Sequence, residues 1–221
     1  MERMKGVIAT KGIIYGSMSF YQGKKVDEQN SHKWACYVRG MGDEDISVFV
    51  KKVVFQLHSS FTNPCRTFER PPYEVHETGW GEFEILIQVY FHDAREKKLD
   101  IYHLLQLYPK TPGASLSTKK PVISENYDEI IFNEPFPDFY QRLQNGLGVP
   151  PDIEKFENAF HQEVVLNFPT YNDVLTAKTI EDALAYIRQE TESIREKIKK
   201  QDNEIINLRQ ELREEEKRSR D

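Results

Sequence analysis

Residues 83–91, FEILIQVYF, alternate so that Phe83, Ile85, Ile87, Val89 and Phe91 fall on one face of an extended chain. That is the pattern of a strand with one side in a core. Working outward, HKWACYV at 32–38 groups Trp34, Cys36 and Val38, and VFVKKVVFQLH at 48–58 groups Val53, Phe55 and Leu57. Further strand-like runs lie near 5–16, 66–76 and 98–108, and VISENYDEIIF at 122–132 reads as a later strand with a polar interruption. Clusters of Gly, Pro, Asn and Asp separate them, and no helical period intervenes. These runs predict an all-β, antiparallel two-sheet sandwich of the immunoglobulin type, with PKTPGASLSTKKP at 109–121 as a long internal loop.

The regime changes after about residue 135. The stretch FNEPFPDFYQRLQNGLGVPPD at 132–152 is rich in turn residues, and Pro151 and Asp152 stand where a short helix would begin. From Ile180 the apolar positions step by four and three through Leu184, Ile187, Ile194, Ile198, Ile205, Leu208 and Leu212, with Thr191 and Gln201 as polar members of the same seam. A heptad pattern of that length predicts a coiled coil, and isoleucine at both core positions leaves the number of strands open. The expected organisation is a sandwich over 1–135, a connector with a short helix over 136–172, and a coiled-coil helix over 173–221.

Composition bounds the function. The chain has 221 residues, 38% hydrophobic and 30% charged, enough for a folded domain plus a heavily solvated segment. No run approaches the roughly 18 apolar residues of a membrane span, and the start reads as no secretory signal, so a cytosolic or nuclear protein without membrane contact is expected. Cys36 and Cys65 are expected as reduced thiols. A net charge of −6 disfavours direct contact with nucleic acid and suits a basic peptide.

The six histidines show no zinc-ligand spacing, and no phosphate-cradling loop or nucleophile elbow occurs, so neither metal nor cofactor is expected. His58, Ser60 and Cys65 in LHSSFTNPC could be cast as the base and nucleophile of a lysine deacylase, but no third group orients the histidine and nothing marks an oxyanion hole. A non-enzymatic protein is expected. His58 and Ser60 suit recognition, the imidazole holding the hydroxyl so that its remaining capacity faces a ligand amide; a serine capping a turn before Asn63-Pro64 is the structural alternative. In TGWGE at 78–82, Gly79 and Gly81 are expected to adopt positive φ and to leave the Trp80 amide uncovered, with the indole as a wall. Alternatively Trp80 plugs the end of the sandwich.

In combination, HSSFTNP, PPYEVHETGWGEFEI, VYFHD and LDIYHLLQLY, with HKWACYV and SENYDEIIF, resemble the YEATS domain family from about Lys5 to Phe132; the heptad tail resembles that of the family's glioma-amplified branch. YEATS domains are immunoglobulin-like sandwiches that read acylated lysines on histone tails. The resemblance implies that Phe61 and Trp80 sandwich the acyl amide, the Trp80 N–H binds its carbonyl, and Ser60, oriented by His58, binds its N–H. It further implies Gly79 and Gly81 as the flanks of Trp80, Phe83 on the far side of the pocket, and His32 at its rim. Ser59 stands where members often carry Glu, and Phe61 where close relatives can carry Tyr. The function implied is an acetyl-lysine reader, extending to crotonyl-lysine, that recruits a chromatin complex in the nucleus. Its tail would bind subunits of histone acetyltransferase or histone-variant exchange complexes, or form a homodimer. A scaffold subunit of such a complex without acyl recognition is the alternative.

Overall fold

The computed structural model describes residues 2–42, 44–110, 115–169 and 173–218, and divides into two compact units, Met1–Phe168 and Pro169–Asp221. Within the first unit, eight strands run β1 (Ile8–Tyr21), β2 (His32–Arg39), β3 (Val50–Gln56), β4 (Cys65–Phe68), β5 (Tyr73–Gly79), β6 (Glu84–Phe91), β7 (Leu99–Leu104) and β8 (Val122–Asn133). They form two four-stranded antiparallel sheets, ordered β5-β2-β1-β8 and β4-β3-β6-β7. The run expected near 66–76 divides between the two: β4 and β5 belong to different sheets, joined through the cis Pro71-Pro72 bond.

The alternation read from the sequence faces inward. Trp34, Cys36 and Val38 of one sheet meet Val53, Phe55, Ile85, Ile87 and Val89 of the other in a single core. Phe83 and Leu57 flank that core at one end, beside the β3–β4 and β5–β6 connections. At the other end α1 (Pro137–Asn145) inserts Phe139 and Leu143 against it, Phe132 stacking edge-on Phe139.

Alternation misses what happens on the outer face of β2. Ala35 and Tyr37 are as buried as their inward neighbours, because α3 (Ala159–Leu166) covers them, Val164 closing a second cluster with Met18 and Phe20. Phe160 packs on Phe20 and His76, and Phe168 on Tyr37 and Arg39. The helix is also clasped electrostatically. Lys33 pairs with Glu163, and the buried Glu74 carboxylate accepts from His161 Nδ1 at 2.5 Å while His76 Nε2 approaches the same oxygen at 2.8 Å. Burial alone would raise the Glu74 carboxyl, but the hydrogen bonds from His161 and His76 outweigh it and hold the group below the ordinary carboxylate range. The expected connector over 136–172 is thus largely part of the sandwich unit. Three short helices, α1, α2 (Ile153–Phe156) and α3, occupy it, and two of them bury side chains on the strands; residues 170–172 lie outside the described residues, as do 111–114 of the long loop.

The second unit is one helix, α4 (Asp173–Arg218), of 46 residues, roughly 70 Å long at 1.5 Å per residue. Among the described residues no helix is apolar enough over its length to cross a membrane. Thr191 returns its hydroxyl to the Ile187 carbonyl at 2.7 Å, so this polar seam position is satisfied within its own helix.

Two outcomes follow for stability. His103, buried on β7 and bonded through Nε2 to Ser17 Oγ at 2.9 Å, is pushed down by burial to about 4. The neutral ring is favoured on folding, so its contribution is complete above the unfolded value near 6.5 and is lost as pH falls from there towards 4. Urea unfolding of His103→Gln across that window should show a shallower loss than the parent, and parallel curves would contradict the assignment. Removing the clasp with Glu74→Ala should cost about 3 kcal/mol in the same assay at neutral pH; an unchanged midpoint would show that α3 is held by its apolar contacts alone.

Candidate binding cleft

Where β3 ends, the backbone turns sharply: the Phe61 N–H donates to the His58 carbonyl at 3.1 Å. Within this turn the Ser60 N–H donates to His58 Nδ1 at 3.2 Å, and Ser60 Oγ lies 2.9 Å from the same nitrogen. An imidazole nitrogen that accepts from an amide carries no hydrogen, so the ring proton sits on Nε2 and the Ser60 hydroxyl donates to Nδ1. The hydroxyl proton is committed inward. What remains on Ser60 Oγ is acceptor capacity, directed at whatever donates from the cleft. Ser60 Oγ bonds the His58 ring and not a backbone group of the turn before Asn63-Pro64.

Opposite stands the β5–β6 connection. Trp80 follows Gly79, the last ladder residue of β5, which pairs with His32. Trp80 is 63% exposed, presenting a large aromatic surface to solvent. The loop beneath it is fixed from β7's end: Glu82 Oε1 accepts from the Leu107 and Tyr108 N–H groups at 2.8 and 3.1 Å, and the Tyr108 hydroxyl donates to the Trp80 carbonyl at 3.3 Å. The Trp80 N–H, one residue past the ladder, meets no acceptor among the described residues.

Between turn and loop lies a cleft of about 490 Å³ that brings together His58, Ser60, Phe61, Gly79, Trp80, Gly81 and Phe83. Its floor is aromatic. Phe61 and Phe83 lie 5.4 Å apart, and the fully buried Trp34 meets both edge-on at 5.9 and 5.8 Å.

Two expectations are corrected. Neither Gly79 nor Gly81 adopts positive φ; among the described residues the glycines that do are Gly6, Gly23 and Gly42. A Cβ at 79 would stand in ordinary contact with Trp34 Nε1 at 3.6 Å and Phe61 Cζ at 3.9 Å, and one at 81 would meet nothing within 4 Å. His32 is not at the rim of this cleft. It is 1% exposed and lines a neighbouring one. Asn30, whose Oδ1 accepts from Thr78 Oγ1 at 2.8 Å, borders the cleft with Gln29. Only the short 3-10 turn at Glu28–Asn30, nucleated by Asp27 accepting from the Gln29 N–H, brings Asn30 there, and no periodicity announces such a turn.

The YEATS family profile matches residues 29–109, the span that holds both walls of the cleft. The chain is 53% identical over 145 residues to "Transcription initiation factor TFIID subunit 14b" of Arabidopsis thaliana, covering 65% of this chain and 54% of that protein. It is 43% identical over 155 residues to "Protein AF-9 homolog" of Emericella nidulans, 66% and 56% respectively. The chain thus spans about half the length of these two relatives. It spans more of the Saccharomyces cerevisiae "Protein AF-9 homolog", with 39% identity over 165 residues, 66% of this chain and 73% of that one. Among solved structures, the Yaf9 YEATS domain bound to H3K27ac superposes with a TM-score of 0.56 at 42% identity, covering 65% of this chain and 99% of that one. The Yaf9 YEATS domain recognising an H3K122suc peptide gives 0.53 at 43%, covering 65% and 98%. A two-sheet antiparallel sandwich that presents a serine turn opposite a Gly-Trp-Gly loop, with identity of this extent across nearly the whole of a solved YEATS domain, makes the chain a member of the YEATS family.

Proposed function

We propose that this protein reads acylated lysine on histone tails and that it does so without catalysis. The observation that carries the reading is the Ser60 hydroxyl, its proton held by His58 Nδ1, facing a cleft walled by Phe61 and Trp80. The flat amide of an acyl-lysine matches these groups one for one. Its N–H donates to Ser60 Oγ, its carbonyl accepts from the Trp80 N–H, and its faces lie against aromatic rings. An unmodified ammonium would leave water without an acceptor's partner for the Trp80 N–H, so acylation removes a desolvation cost and adds a matched acceptor. The cleft reaches Gln29 and Asn30, which leaves length for acyl chains beyond acetyl, crotonyl among them. The Yaf9 domains bound to H3K27ac and H3K122suc support the same reading.

Two neutral hydrogen bonds of about 1 kcal/mol each make a weak monovalent site. Helix α4 supplies the complement in this reading. Its heptad positions Ile180, Leu184, Ile187, Ile194, Ile198, Ile205, Leu208 and Leu212 are all about half exposed, an apolar seam suited to a coiled coil with a second copy or with other subunits of a nuclear chromatin complex. Histone acetyltransferase or histone-variant exchange assemblies, and placement beside the glioma-amplified branch, belong to this reading. The seam also favours the alternative in which assembly is the chain's whole task, and ablating the cleft separates the two.

Calorimetric titration of the full chain with one histone-tail peptide, unmodified, acetylated and crotonylated, tests the reader. Trp80→Ala, at an exposed position, should leave thermal unfolding unchanged and weaken acyl-peptide binding at least tenfold; Ser60→Ala should cost about fivefold, one neutral hydrogen bond. Undiminished binding by the Trp80 variant overturns the reading, and slow loss of the acyl group on incubation would overturn its non-catalytic part. For the tail, sedimentation should give a dimer or a mixed complex that Ile198→Asp with Ile205→Asp returns to monomer; a parent chain that stays monomeric alone and with candidate subunits would count against the seam.

A further inference from the structure

Trp80 and Gln29 line not one cleft but two. Next to the cleft described above is a second, of about 540 Å³, to which Tyr21, Glu28, Ser31, His32 and Tyr108 contribute. It opens at the same end of the sandwich, where the last inward residue of β1 and the first of β2, paired in the ladder as Tyr21 and His32, meet the chain leaving β7. Its base is His32, whose ring touches Tyr21 at 5.3 Å and Tyr108 at 5.2 Å, at tilts of 48° and 72°. Tyr108, 44% exposed, and Trp80 rise as rims. Four rings therefore converge on one opening, and the charged side chain that joins them is a carboxylate, Glu28.

The chemistry of the lining selects its occupant. Ring faces attract cations through their quadrupoles, and a carboxylate adds charge; of the other polar groups in the lining, Ser31 Oγ is already bonded to His32 Nδ1 and the Tyr108 hydroxyl to the Trp80 carbonyl, so the three N–H groups of a bare ammonium find less here than in water. Methylation spreads the charge, weakens hydration and removes the need for those acceptors, so rings suffice. His32 reinforces this. Burial lowers its pKa, with Glu82 opposing, so at neutral pH the ring does not repel a cation. Its Nδ1 is engaged with Ser31 Oγ at 3.0 Å, while Nε2, fully buried, has no partner among the described residues.

We propose that this second cleft is an aromatic cage for the methylated ammonium of a lysine in the same peptide, close in sequence to the acylated residue. The proposal rests on the acyl-lysine reading for its partner. Two groups packed on either side of one indole stand ~7 Å apart, which is the spacing of side chains two residues apart on one face of an extended strand. A single chain can therefore fill both clefts with Trp80 as the wall between them.

The test uses the full chain and three peptides of one sequence, each with acetyl-lysine at a fixed position and, two residues away, trimethyl-lysine, lysine or norleucine. Calorimetry should rank the trimethyl peptide about fivefold tighter than the norleucine one, with the plain lysine below it. Tyr21→Ala and Glu28→Gln, neither of which borders the acyl cleft, should erase that gain and leave the norleucine peptide's affinity unchanged. Equal binding of trimethyl-lysine and norleucine overturns the cage; equal binding of trimethyl-lysine and lysine overturns its methyl selectivity. A peptide-free arm separates this from failure of the acyl reading. Tetramethylammonium, but not neopentyl alcohol, should shift the Trp80 indole resonance saturably in the parent and not in the Tyr21 variant, and no such shift would overturn the cage even if acyl peptides bind.

Discussion

The edge-on contact of Trp34 with Phe61 and Phe83 joins the core of the sandwich to the cleft at its end. Trp34 is fully buried on β2, whereas Phe61 and Phe83 belong to the connections leaving β3 and entering β6 in the opposite sheet. One indole therefore fixes the separation of the sheets where the cleft opens. Aromatic pairs of this kind add about 0.5–1.5 kcal/mol beyond their buried area, and their directional preference gives the floor a definite shape. Above that floor, Ser60 is held through His58 Nδ1 and the Trp80 carbonyl through the Tyr108 hydroxyl.

Much of this was legible in the sequence, for reasons tied to particular residues. β6 and β3 each bury one face, and a period of two reports that directly through Ile85, Ile87 and Val89 or Val53 and Phe55. β2 buries both faces, and its Ala35 and Tyr37 look unremarkable until α3, more than a hundred residues later, is laid over them. Period-two reasoning is blind to a cover of that kind, which is why the region after 135 read as connector. Of the site, the Ser60 and His58 pair could be foreseen because both residues sit within one short turn and the chemistry is local. The glycines around Trp80 do not use left-handed backbone, and what a side chain at 79 would touch, Trp34 and Phe61, lies across the fold where the local sequence does not report it. Asn30 was missed and His32 misplaced because a 3-10 turn of three residues decides which one points at the cleft, and two positions along a chain entering a strand exchange mouth for interior.

The two clefts also place an unusual demand on one side chain. Trp80 is at once the most exposed aromatic wall of the site and the residue least supported by packing, its loop being steadied by Glu82 and by the Tyr108 hydroxyl. What sets the position of that wall is its loop, anchored by Glu82 on the Leu107 and Tyr108 amides and by the Tyr108 hydroxyl on the Trp80 carbonyl.

The last contacts of the sandwich unit are those of Phe168 with Tyr37 and Arg39, near the end of β2 that lies farthest from the cleft. Five to seven residues of extended strand separate that point from Trp34 and His32, ~20 Å. Phe168 and the cleft thus hold opposite ends of one strand, so a change that frees Phe168 reaches the cleft only through the length of β2.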